Sequence, residues 1–118
     1  MNHVLVVDDE PAIRNLVRIS LQPLHVNVES VSNGKEAIDA VSRDRPAVIV
    51  LDLVMPVMDG RTFFHAIEGE DRPPVVILSS EGSQLAKKEL GAEASMPKPF
   101  DPEKLASVVD GLIHSESA

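Results

Sequence analysis

The chain has 118 residues, the size of one compact domain, and a formal net charge of −8, with 11 Lys and Arg against 19 Asp and Glu. This negative charge argues against direct binding to nucleic acid or an anionic membrane, which depends on Lys and Arg. The lack of Trp and Tyr removes most platforms for stacking bases or flavins, and the lack of Cys removes disulfides and thiolate metal sites. No signal peptide or membrane-length apolar run is recognisable, and we expect a cytoplasmic location.

Short apolar runs alternate with stretches of helical spacing along the whole chain. The predicted strands are Val4–Val7, Val26–Val31 with its end before Val31, Ala47–Leu51, Val75–Leu78 and Glu93–Met96. The predicted helices are Pro11–Leu21, Glu36–Ser42, a short helix through Phe63, Phe64 and Ile67, Gln84–Leu90, and a last helix with Asp101 as its N-cap. Five strands alternating with five helices predict an α/β fold with a doubly wound parallel sheet. Residues 114–118 read as a short polar tail of this single domain.

Polar side chains follow the apolar runs at the points where the strands are predicted to end. In chain order they are Asp8 and Asp9, Asp52, Ser79 with Ser80 beside it, and Lys98. Ligands of doubly wound sheets bind at the carboxyl ends of the strands, so we expect these groups to converge on one pocket.

The chemistry of these groups suits a phosphoryl acceptor. Three neighbouring carboxylates would repel one another, and a divalent cation relieves that repulsion. Ligation by oxygen alone favours Mg²⁺ over zinc or copper. An ionised Asp52 is a competent nucleophile for aspartyl-phosphate formation. Lys98 offers a positive charge to the phosphoryl oxygens, and Ser79 offers a hydrogen bond.

Five motifs lie in order along nearly the whole chain. They are Val7-Asp8-Asp9-Glu10-Pro11, the loop from Leu51 to Gly60, Ser79, Gly91-Ala92, and Lys98-Pro99-Phe100. Through them the sequence resembles the receiver domain of bacterial two-component response regulators. The resemblance implies a flavodoxin-like sheet with strand order 2-1-3-4-5. It also implies that Asp52 accepts a phosphoryl group from a phosphohistidine of a sensor histidine kinase or a histidine phosphotransfer protein. Such a domain is a switch that catalyses its own phosphorylation and dephosphorylation, and is not a conventional enzyme.

The resemblance further implies a role for each polar group. Mg²⁺ would be bound directly by Asp9, Asp52 and the Val54 carbonyl, and through water by Asp8. Ser79 would be the switch hydroxyl, and Lys98 would contact the phosphoryl group.

Other interpretations of these residues exist. Asp8 and Asp9 could form a turn and a helix cap, Ser80 competes with Ser79, and Lys98 could be an ordinary solvated lysine. A metal-dependent phosphatase with an Asp nucleophile is a rival function, but such enzymes commonly carry a second Asp where this chain has Val54. A degenerate receiver that only binds partners, and a flavodoxin-like electron carrier, are further alternatives.

Two departures from the family pattern concern signal output. Many receivers carry an aromatic residue in the fifth strand, where this chain has Ser95, and the segment before Lys98 predicts a short fourth helix. We expect no effector domain after the last helix. A stand-alone receiver acting on an unidentified protein partner and a piece of a longer protein both fit the sequence.

Overall fold

The computed structural model describes residues 3–69, 71–80 and 83–116, which form five strands and five α-helices. The strands are β1 (His3–Val7), β2 (Asn27–Val31), β3 (Val48–Asp52), β4 (Val75–Ser79) and β5 (Ala94–Pro97). The helices are α1 (Pro11–Ser20), α2 (Gly34–Arg43), α3 (Gly60–Ala66), α4 (Ser83–Leu90) and α5 (Pro102–Glu116). None of the described helices combines the length and apolar composition that crossing a membrane requires.

The strands form one parallel sheet in the order β2-β1-β3-β4-β5, which confirms the predicted fold class and strand order. The register aligns the carboxyl ends of β1, β3, β4 and β5, because Val7 lies opposite Leu51, Asp52 opposite Leu78 and Ser79 opposite Pro97. The residues at or just after these ends therefore lie along one edge of the sheet.

Helices cover both faces of the sheet, as the continuous apolar runs of β1, β3 and β4 require. Alternate strand residues such as Leu5, Ile49 and Ile77 pack with α2, α3 and α4, where Phe63 and Phe64 are fully buried. The intervening strand residues pack with α1 and α5 in a second cluster that consists of Val4, Val6, Val17, Leu21, Val48, Val50, Val76, Leu78, Met96, Phe100, Leu105, Val109 and Ile113. The sheet is thus held rigid between two apolar layers.

Local signals fix where several helices begin. Pro11 is the first residue of α1, Asn33 caps α2 by accepting a hydrogen bond from Glu36 N, and Asp59 caps α3 through Thr62 N. The predicted cap of α5 is confirmed, since Asp101 Oδ1 accepts a hydrogen bond from Glu103 N at 2.9 Å.

Most predicted boundaries lie within one or two residues of those in the structure, and two of the differences bear on the fold. The prediction that β2 ends before Val31 is wrong, because Val31 pairs with Val7 and packs against the core. The polar tail expected from residue 114 is helical as far as Glu116, because α5 continues past the buried Ile113. His114 lies 3.0 Å from Asp110 one turn earlier, and residues 117 and 118 lie outside the described part.

Candidate phosphoacceptor site

Lys98 is the centre of the charged site at the carboxyl edge of the sheet. Its Nζ lies 2.8 Å from Asp8 Oδ2, 3.3 Å from Glu10 Oε1 and 3.4 Å from Asp52 Oδ2. The Lys98 side chain is 11% exposed, and the peptide bond that follows it, to Pro99, is cis. Burial lowers the pKa of Lys98, but Asp8, Asp52 and Glu10 more than offset that effect, so its pKa is raised and the group stays charged.

Asp8 is held rigidly where β1 ends. Its Oδ1 accepts a hydrogen bond from Glu10 N at 2.9 Å, and its carbonyl oxygen accepts one from Arg14 Nη1 at 2.7 Å. Oδ2 is buried and, despite its ion pair with Lys98, accepts no well-aligned hydrogen bond. This oxygen retains capacity for a further cationic or water ligand.

Asp52 is the last residue of β3 and is 5% exposed. Its Oδ1 accepts a long hydrogen bond, 3.3 Å, from Val54 N, and its Oδ2 faces Lys98. Burial, followed by the charge of Asp8, raises the pKa of Asp52 to about 6, although Lys98 and the Val54 N–H oppose that rise. At neutral pH the carboxyl group is therefore mainly ionised, as a nucleophile must be.

Ser79 ends β4 beside the acidic edge and is buried, whereas Ser80 is exposed. The carbonyl oxygen of Ser79 accepts a hydrogen bond from Lys98 N at 2.9 Å, which joins the ends of β4 and β5. The Ser79 side chain lines an open cavity of about 300 Å³ together with Leu53, Val54, Met55, Asp59 and Arg61. Of the two adjacent serines, Ser79 is the one that faces the loop after Asp52.

The loop after Asp52 is packed tightly against the strand that it leaves. Gly60 N donates a hydrogen bond to Leu53 O at 2.9 Å, and a Cβ at Gly60 would stand 2.2 Å from the carbonyl oxygen of Asp52. Only glycine allows α3 to begin this close to β3. Within the loop Val57 has φ 69, a conformation that β-branched residues rarely adopt.

The carboxylates of Asp8, Asp9 and Glu10 offer ligand oxygens that all lie within 4.8 Å of one another. Asp8 is buried, while Asp9 and Glu10 are exposed. An all-oxygen donor set with an under-used buried oxygen, Asp8 Oδ2, fits a hard divalent cation such as Mg²⁺. The residues present therefore fit the ion that the sequence implies.

The structure brings Asp8 and Asp52 each into contact with Lys98, in agreement with the convergence that the sequence predicts, and places Ser79 at the neighbouring strand end. The sequence led us to expect a compact group of carboxylates from Asp8, Asp9 and Asp52. In the structure the compact group consists of Asp8, Asp9 and Glu10. Sequence reasoning missed the contact of Glu10 with Lys98. The acidic run that follows β1 was the available signal, but it does not show which way the third side chain points.

The family model for the response regulator receiver domain matches residues 4–110. The chain therefore belongs to this family, the receiver domains of two-component signalling. Members of the family interact with histidine kinases or phosphotransfer proteins, and they generally bind Mg²⁺ at an acidic cluster.

Individual relatives agree with this assignment. The chain is 36% identical over 114 residues to the response regulator MprA of Mycolicibacterium vanbaalenii, covering 93% of this chain and 49% of that protein. It is 32% identical over 113 residues to the probable transcriptional regulator ycf27 of Porphyridium aerugineum, covering 93% and 47%. The chain thus spans about half the length of these relatives.

Solved structures match over nearly their full length. The chemotaxis response regulator CheY4 of Vibrio cholerae superposes with a TM-score of 0.83 at 35% identity, covering 95% of this chain and 98% of that one. The receiver domain of the Francisella response regulator 1452 gives a TM-score of 0.89 at 28% identity, covering 98% and 99%.

Proposed function

We propose that Asp52 of this chain accepts a phosphoryl group from a phosphohistidine of a sensor kinase or a phosphotransfer protein. The observation that carries the proposal is the environment of Asp52. This residue is buried at the end of a strand, and the Lys98 ammonium group lies 3.4 Å from one of its carboxylate oxygens. A carboxylate kept from water but faced by a fixed cation suits attack on phosphorus.

The proposed step is a single transfer. A carboxylate oxygen of Asp52 forms a bond to phosphorus, the phosphorus–nitrogen bond of the donor breaks, and the imidazole leaves with the electron pair. Lys98 is placed to neutralise the phosphoryl oxygens, and Ser79 can donate a hydrogen bond to one of them. Phosphoryl transfer depends mainly on such positioning and charge neutralisation.

We assign the Mg²⁺ that this step requires to Asp8, Asp9, Asp52 and the carbonyl of Val54. The ion, when bound, would neutralise the negative charges of these carboxylates and of the incoming phosphoryl group. The oxygen-only donor set and the buried, under-used Oδ2 of Asp8 support this assignment.

The phosphorylated domain would signal by changing its affinity for a partner protein. β5 contains Ser95 in place of the aromatic residue that the family resemblance led us to expect, and α4 is short, with eight residues. The net charge of −8 favours a protein partner over direct contact with nucleic acid or an anionic membrane.

The test is to incubate the protein with Mg²⁺ and acetyl phosphate and to measure its intact mass. We expect one phosphoryl adduct in the parent chain and in Asp39→Ala, which removes an exposed carboxylate on α2, and none in Asp52→Ala. Absence of an adduct with acetyl phosphate and with several phosphohistidine donors would reject the proposal. Continuous, rapid release of phosphate would favour the rival phosphatase.

A further inference from the structure

Glu10 reaches Lys98 from the solvent side of the site. Its Oε1 lies 3.3 Å from Lys98 Nζ, while the Glu10 side chain is 59% exposed and the Lys98 side chain is 11% exposed. Asp8 and Asp52 contact the same ammonium group from the buried side. Lys98 is therefore held between two buried carboxylates and one exposed carboxylate.

The backbone of Glu10 is held by hydrogen bonds, whereas its side chain extends to Lys98. Glu10 N donates to Asp8 Oδ1, and its carbonyl oxygen accepts hydrogen bonds from Ile13 N and Arg14 N at the start of α1. Glu10 occupies the N-cap position, but its side chain makes no capping hydrogen bond. Among the residues that the structure describes, the Glu10 side chain accepts its hydrogen bond from Lys98.

We propose that Glu10 is a positioning residue that competes with the phosphorylated Asp52 for the ammonium group of Lys98. This inference rests on the proposed function of Asp52. In the unphosphorylated domain Glu10 draws Lys98 towards solvent. A phosphoryl group on Asp52 must compete with this contact to engage Lys98 fully. Glu10 thereby sets part of the balance between the unphosphorylated and phosphorylated forms.

The first test compares Glu10→Gln, Glu10→Asp and the parent chain at one sub-saturating concentration of acetyl phosphate with Mg²⁺. An exposed ion pair is worth up to about 1 kcal/mol, so Glu10→Gln should raise the ratio of phosphorylated to unphosphorylated protein about two- to fivefold. Glu68→Gln, at the other end of α3 from the site, controls for the change in net charge.

Glu10→Asp separates the contact from the charge. Asp keeps the negative charge but is one methylene shorter, so its carboxylate no longer reaches Lys98. We expect Glu10→Asp to raise the phosphorylated ratio as Glu10→Gln does. If the phosphorylated ratio of Glu10→Asp equals that of the parent chain while that of Glu10→Gln is raised, the effect is due to charge alone. That result would overturn the proposal. An unchanged or lowered ratio in Glu10→Gln would also overturn it.

A second test needs no phosphorylation and so separates this inference from the proposed function. A double-mutant cycle with Glu10→Gln and Lys98→Gln is measured by urea unfolding in EDTA. We expect Glu10→Gln to shift the unfolding midpoint differently in the two backgrounds at position 98. The same shift in both backgrounds would mean that the two side chains do not interact. Failure of Asp52 to accept phosphate, with the cycle intact, would reject the proposed function and leave only the contact of Glu10 with Lys98 standing. Independent shifts in the cycle, with Asp52 phosphorylated, would reject the competition by Glu10 alone.

Discussion

Asp8 and Asp52 lie at the ends of neighbouring strands and share the ammonium group of Lys98, at 2.8 and 3.4 Å. One positive charge thus faces two buried negative charges. The repulsion that remains, together with burial, keeps the pKa of Asp52 raised to about 6. The metal-free site is consequently under electrostatic strain, which a divalent cation or protonation relieves.

The first prediction concerns stability against pH without metal. The pKa of Asp52 is raised from 3.8 to about 6 on folding, so the unfolded chain loses this proton first as the pH rises. Stability should therefore fall between about pH 4 and pH 6, and the loss persists above that range. At pH 7 in EDTA, Asp52→Asn should be more stable than the parent chain by about 1–3 kcal/mol.

Urea unfolding at pH 4 and pH 7 measures this difference. The two proteins should be nearly equal in stability at pH 4, where the parent Asp52 is mainly protonated in the folded state. Asp39→Asn, which changes an exposed carboxylate on α2, should show no comparable gain. Equal stability of Asp52→Asn and the parent chain at pH 7 would contradict the prediction.

The second prediction concerns metal binding. Mg²⁺ at one hundred times its dissociation constant should raise the free energy of unfolding by about 2.7 kcal/mol, because it binds the folded state. Thermal unfolding with and without EDTA measures the gain. Asp9→Ala should abolish most of it, and Asp39→Ala should retain it. A full gain in Asp9→Ala would place the ion elsewhere.

The third prediction concerns the start of α3. Gly60→Ala should destabilise the fold by about 1–3 kcal/mol, because the new Cβ would stand 2.2 Å from the backbone oxygen of Asp52, which cannot rotate away. Gly111→Ala in α5 meets no atom within 4 Å and should instead stabilise the protein by about 0.5–1 kcal/mol. Urea unfolding of both variants tests the contrast, and equal effects would refute it.

The fourth prediction concerns the ion pair between Arg72 and Glu93, which lies where β4 and β5 begin. Arg72 donates two hydrogen bonds to the Glu93 carboxylate, of 2.7 and 3.1 Å. Burial raises the pKa of Glu93, but the bonds from Arg72 and Val75 N outweigh burial and leave it below 4.5. Glu93→Gln should cost about 1–2 kcal/mol at pH 7. Because the folded pKa is lowered, this difference should be fully present above the unfolded value of 4.5 and should be lost as the pH falls through the folded pKa of Glu93.

Urea unfolding at pH 7 and pH 3 checks the Glu93 prediction. Glu89→Gln is the matched control, since it breaks a pair with Arg61 in which both side chains are about half exposed. That change should cost no more than about 0.5 kcal/mol at either pH. A loss in Glu93→Gln that does not depend on pH would argue against the ion pair as its cause.

The sequence by itself determined the fold and which polar groups reach the carboxyl edge of the sheet. Continuous apolar runs such as Val48–Leu51 can only be buried on both faces, and each is followed by a polar residue. The alternation with helical stretches fixes a parallel sheet, and the strand-end rule then places Asp8, Asp52 and Lys98 together. These inferences depend on the local spacing of apolar and polar residues, which can be read directly from one sequence.

Only the tertiary structure decided how the charges are shared. The contact of Glu10 with Lys98 joins residues far apart in sequence, and its existence depends on side-chain directions that no periodicity encodes. The same holds for the approach of Gly60 to the Asp52 carbonyl and for the burial of Ser79 beside the exposed Ser80. Sequence pattern specifies which groups reach the edge of the sheet, whereas packing fixes their separations to within an ångström or so, and those separations set the electrostatics of the site.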